Sequence, residues 1–170
     1  MRALGPLGTG SSGTEVDLVV VGAHLRGQPL NGELGDLGGT FVGPVTTAAT
    51  YRLWALATEP PKPGLVRVRS GGSAVHGEHW RLPVCGFGAF VASLRAPMTI
   101  GSVALDDGRA LPGFLVEASA LDDPAAVQEI TAYGSWPAYL AAREADRPSR
   151  SSIRASRAAT AASLPWSVGT

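Results

Sequence analysis

Residues 16–25 read VDLVVVGAHL, and the assignment of this run governs what the remaining elements can be. Leu18 to Val21 form an unbroken apolar series in which three of the four residues are β-branched. Such side chains suit an extended backbone, and a series with no polar alternation needs cover on both faces. The segment therefore reads as a buried strand that stops at Gly22.

Downstream, Gln28 to Leu37 is expected as a short helix with Pro29 in its opening position, weakened by Gly32 and Gly35. TYRLWALAT at 50–58 is a second strand, halted by EPPKPG. LVRVR at 65–69 and AVHGEHWRL at 74–82 alternate on either side of a glycine-rich turn, so an antiparallel hairpin is expected. In PVCGFGAFVASL at 83–94, Phe87, Phe90, Val91 and Leu94 have helical spacing. TIGSVALDDGRALPGFLVEA at 99–118 sets Asp107-Gly108 between two apolar runs, the strongest hairpin signal in the chain. PAAVQEITAYGSWPAYLAARE at 124–144 should hold a late helix, broken near Gly134 and Pro137, with Trp136 and Tyr139 packed on the sheet.

These elements define an α+β domain: a small curled mixed or antiparallel sheet or barrel with a few short helices. It is expected over 15–144, between a glycine- and serine-rich leader at 1–14 and a low-complexity, disordered tail at 145–170. The 170 residues suffice for one domain with a core. Fourteen basic residues balance fourteen acidic ones, which gives nucleic acid or an anionic membrane no bulk attraction. Cys85 is the only cysteine, so no internal disulfide can form, in keeping with a reducing cytoplasm. The start MRALGPLGTGSSG has no long apolar signal core, and no run approaches the roughly twenty residues of a membrane span. A cytoplasmic location follows.

Phosphate-binding loops, dinucleotide fingerprints, zinc-protease motifs and nucleophile elbows are all missing from the sequence. His76 and His79 fall on opposite faces of their strand, a poor zinc pair, and are expected as surface or rim imidazoles. His24 is different because it follows a strand end. The turn after Gly22 can aim amide N–H groups at an anion, and an imidazole beside them can pass a proton; equally, His24 can satisfy a turn carbonyl. Lys62, the only lysine, is held between prolines and is either a fixed cation for a carboxylate or a solvated loop residue. Glu117 is either buried against a cation or exposed at a strand end, and Asn31 either caps the turn or contacts a ligand.

VVGAHLRGQPLN, YRLWALATEPPKPGLVRV, GEHWRLPVCGFGAFVASLRAPMTIGSVALDDGRALPGFLVEASAL and EITAYGSWPAYLAA resemble, in this order, the C-terminal domain of allophanate hydrolases. The likeness runs from about Val16 to about Ala142. It implies a γ-glutamylcyclotransferase-like fold and, in urea breakdown, decarboxylation of N-carboxycarbamate without a cofactor or metal. In the full-length enzyme an amidase domain with a serine nucleophile supplies this compound, and the 170 residues hold no counterpart of that domain. The resemblance implies His24 as the general acid. Gly22, Ala23, Leu25, Asn31, Lys62 and Glu117 are then the substrate-binding candidates for a small dicarboxylate. Two other readings stand beside it. One is an interaction module for a separate amidase or carboxylase subunit; the other is a cyclotransferase-like enzyme, which needs a buried carboxylate such as Glu117 or Glu78 in the cleft.

Overall fold

A computed structural model describes residues 14–147. Its strands are β1 (Glu15–Val20), β2 (Thr40–Thr46), β3 (Tyr51–Leu56), β4 (Lys62–Arg67), β5 (His76–Pro83), β6 (Met98–Ala104), β7 (Ala110–Val116) and β8 (Val127–Glu129). The helices are α1 (Asn31–Asp36), α2 (Val84–Ser93) and α3 (Trp136–Ala145). Five strands form a sheet in the order β2-β5-β1-β7-β6, and three form a second in the order β4-β3-β8. The α+β class holds, as two open sheets rather than a closed barrel.

The apolar run sits at the middle of the larger sheet. β1 is antiparallel to β5 from Glu15↔Pro83 to Val20↔Glu78 and parallel to β7 at Val19↔Gly113. Leu18, Val19, Val20 and Val21 are all buried, and each such side chain contributes about 1.5–3 kcal/mol relative to exposure. A Cβ on Gly113 would lie 3.0 Å from the Val19 carbonyl oxygen and 2.7 Å from Val103, so glycine permits this close pairing. β6 and β7 form the Asp-Gly hairpin in register from Met98↔Val116 to Ala104↔Ala110. The smaller sheet joins the larger through Tyr51, buried in β3, whose hydroxyl accepts the Ala104 amide of β6 at 2.8 Å.

Several expectations are corrected. The segments 65–69 and 74–82 do not form a hairpin: β4 pairs with β3, while β5 pairs with β1 and β2. The turn at 70–73 carries the chain from one sheet to the other. The hairpin partner of β3 is β4 itself, which begins inside EPPKPG: Lys62 is its first residue, opposite Leu56, rather than a loop residue. Strand β2 was not expected, because Gly43 and Pro44 interrupt its pattern. It is an edge strand with a register shift between Phe41 and Gly43, where proline is tolerated. Helix α1 starts at Asn31 because residues 25–31 are tied into turns, with Gln28 N–H donating to the Leu25 carbonyl and Asn31 N–H to that of Gln28. In the late segment, Val127–Glu129 is strand β8, and Gly134, at φ 68°, ends a 3-10 turn before α3 begins. Trp136 and Tyr139 are buried as expected.

The chain divides into two units, 1–139 and 140–170. The second is described only to Arg147, as the last turns of α3 and an exposed Arg147–Glu144 pair. The expected leader and tail otherwise lie outside the described residues. Among these, no helix is long and apolar enough to cross a membrane.

Candidate functional site

Beyond β1 the chain folds tightly back on itself. Leu25 N–H donates to the Gly22 carbonyl and Leu30 N–H to that of Ala23, both at 2.9 Å. The Asn31 side-chain amide donates to the His24 carbonyl at 2.8 Å. These bonds hold His24 at the turn and point α1 back toward it. Glu33 on that helix then places Oε2 3.0 Å from His24 Nε2.

The His24 ring is packed between two aromatics. Phe114 of β7 stacks on it at 5.1 Å with 9° between the planes, and Phe90 of α2 meets it edge-on at 5.1 Å. Its side chain is 11% exposed and that of Glu33 52%. Burial lowers the His24 pKa from its ordinary 6.5; the Glu33 hydrogen bond and charge raise it, the Lys62 charge lowers it, and the net direction is down. Uncharged His24 therefore predominates at neutral pH.

A cavity of about 510 Å³ opens beside this ring. It brings together four of the sequence candidates, Gly22, Ala23, His24 and Lys62. Pro63 explains the approach of Lys62: a Cβ on Gly22 would overlap the Pro63 ring, so only glycine lets the start of β4 touch the end of β1. The N–H groups of Ala23 and His24 donate to no described residue, which leaves two amides at the cavity for an anion.

Three candidates do not line the cavity. The Leu25 amide is taken by Gly22, and its side chain is buried. Asn31 acts at one remove, through the His24 carbonyl. Glu117 is exposed, because strand alternation turns Val116 inward and Glu117 outward at the end of β7. Glu78 is also outside: it accepts from Arg26 N–H, Arg26 Nε and Trp80 Nε1. The cyclotransferase reading thus loses both of its proposed carboxylates.

Sequence reasoning missed Glu33, Asp36 and Arg95, which do line the cavity. Only the distance between His24 and Glu33, one turn and one helical turn, hinted at their meeting. His79 is also corrected. It is buried rather than at the rim, with Nε2 2.8 Å from Asp17 Oδ1, which Arg81 Nε shares at 2.9 Å. Burial raises the Asp17 pKa, but the hydrogen bonds and charges of His79 and Arg81 outweigh it, and the net shift is downward. His76 is exposed, as expected. Among the described residues no group of three His, Cys, Asp or Glu side chains is placed to hold a metal ion.

The family model described as "Allophanate hydrolase C-terminal domain" matches residues 16–141. Over 130 residues the chain is 40% identical to the urea amidolyase of Saccharomyces cerevisiae, covering 75% of this chain and 7% of that protein. Kluyveromyces lactis allophanate hydrolase superposes with a TM-score of 0.70 at 37% identity, over 74% of this chain and 21% of that one. A uropathogenic E. coli-specific protein gives a TM-score of 0.69 at 38% identity, over 75% of this chain and 97% of that one. An AIG2-like protein from mouse, 19% identical with a TM-score of 0.50, shares the fold alone, the γ-glutamylcyclotransferase-like α+β arrangement. The chain thus spans a small part of the urea amidolyase it matches, while the family match extends from the first residues of β1 into α3. This chain belongs to the allophanate hydrolase C-terminal domain family.

Proposed function

We propose that the domain binds N-carboxycarbamate in the His24 cavity and speeds its decarboxylation, with His24 as general acid. The observation that carries this reading is the juxtaposition of a half-sandwiched imidazole, a lysine and two unpaired amides around one cavity. The reaction takes up one proton: the carbon–nitrogen bond of the dianion breaks, its electron pair stays on nitrogen, nitrogen is protonated, and carbon dioxide and carbamate result. A proton delivered to nitrogen as the bond breaks removes the need to expel an amide anion. Lys62 and the Ala23 and His24 amides hold one carboxylate in this scheme; Arg95, which also lines the cavity, holds the other.

The low proton affinity of His24 fits this scheme. A bound dianion adds negative charge next to the ring and favours imidazolium, so substrate binding draws in the proton that the reaction consumes. Malonate is a stable dicarboxylate of similar shape. It should bind more tightly as pH falls from 8 to 6, with proton uptake measurable by calorimetry in buffers of different ionisation enthalpy. Binding independent of pH would count against the scheme. The direct test adds the domain to an amidase making N-carboxycarbamate and measures carbon dioxide release above the spontaneous rate. His24→Gln equal to the parent would sink the reading.

The names of the yeast relatives support a place in urea and allophanate degradation. Those relatives are far longer than the matched region, which supports an amidase as the working partner. A second reading is favoured by the E. coli protein, which the match covers almost completely: the domain docks on a separately encoded amidase or carboxylase and does no chemistry. A shift in gel-filtration volume on mixing with an amidase subunit, with no acceleration, would select it.

A further inference from the structure

We infer that Glu33 is a positioning residue for His24: its carboxylate holds the hydrogen on Nε2, leaves Nδ1 as the nitrogen that exchanges a proton with the ligand, and supports the imidazolium. This deepens the decarboxylase reading and rests on it for the identity of the ligand. The geometry makes the assignment. A carboxylate only accepts, so the hydrogen in the 3.0 Å bond between His24 Nε2 and Glu33 Oε2 lies on nitrogen. No described residue bonds Nδ1. Phe114 stacks on the imidazole and Phe90 packs perpendicular to it, so rotation to exchange the nitrogens is hindered.

The charges around the ring come from three directions. Glu33 and Asp36 lie on α1, Lys62 at the start of β4, and Arg95 after α2; β7 contributes only the uncharged Phe114. Of these, Glu33 alone touches the imidazole. Lys62 and Arg95 favour an anionic ligand, and the Lys62 charge opposes charge on His24. Glu33 does the reverse, and without it a cation that holds the substrate would work against the proton His24 must deliver. Where a carboxylate orients a metal-binding imidazole, its loss typically costs about tenfold to a hundredfold, and a loss of that order is expected here.

The test uses the whole chain with Glu33→Gln and Glu33→Asp, variants at a half-exposed position. Imidazole NMR reads the titration of His24 directly, with and without malonate. Glu33→Gln should titrate at lower pH than the parent, lose roughly tenfold or more in kcat at pH 7 with little change in KM, and bind malonate at pH 8 as well as or better than the parent. Glu33→Asp should regain part of the loss. An unmoved His24 titration in Glu33→Gln, or malonate binding lost in step with activity, would overturn the inference. If the parent chain speeds no carbon dioxide release, the decarboxylase reading falls, while the titration still decides for or against Glu33.

Discussion

Two histidines in this domain hold a carboxylate through Nε2, His24 with Glu33 at 3.0 Å and His79 with Asp17 at 2.8 Å. By distance alone they are equivalent. Their surroundings differ throughout. His79 and Asp17 are on paired strands, the imidazole is 5% exposed, and Arg81 completes the cluster by sharing the same oxygen. That imidazole is closed in by the sheet. His24 instead sits on a turn, its partner is half in water, and the ring shares one cavity with a lysine and two residues whose amides donate to no described residue. A histidine–carboxylate pair is thus no sign of chemistry in itself. The informative feature is a pair that borders a cavity lined by a cation.

Exchanging the effects of the two pairs would break this contrast. His24→Gln should remove about 10²–10⁴ of the domain's acceleration and leave the denaturation midpoint close to that of the parent. Asp17→Asn should do the opposite, lowering stability by about 1–3 kcal/mol in urea titrations while activity per folded molecule persists. A rate loss in Asp17→Asn, or unfolding in His24→Gln, would erase the distinction. Lys62→Ala should weaken malonate about tenfold, about 1.4 kcal/mol, without altering stability.

The smallest effects are those of pH on the empty domain. Asp17, with its pKa lowered by folding, adds stability that is present above 3.8 and lost as pH falls through the folded-state value. His24 is also lowered, so below 6.5 the unfolded chain binds more protons than the folded one, and stability declines as pH drops under that value. Melting temperatures across pH should therefore lose the upper decline in His24→Gln and the lower one in Asp17→Asn. Unchanged profiles would show that neither pair is felt as described.

Where a segment's own pattern determined its state, the sequence was readable. The apolar run of β1, the Asp-Gly hairpin and the Phe-spaced helix α2 needed only local rules. Strand partnership was not local: β5 alternates as any hairpin strand does, yet it is claimed by β1, whose four apolar residues need neighbours on either side. The same limit applies to the site. His24 stood out by its place after a strand, and Lys62 by its rarity. Glu33 and Arg95 look like ordinary surface charges until α1 and the end of α2 are folded over the cavity. Glu117 misled because a carboxylate at a strand end carries no mark of the face it takes.

The contact between Gly22 and Pro63 sets the spacing of charge in the cavity. Because main chain meets a rigid ring there, the distance between the imidazole and the start of the lysine stem belongs to the backbone, and side-chain substitution does not retune it. Lys62→Arg would change the shape of the cation and leave its root in place. Gly22→Ala would wedge the two sheets apart and separate acid from cation at once, so one methyl group that touches no ligand charge governs whether the two can serve a single ligand.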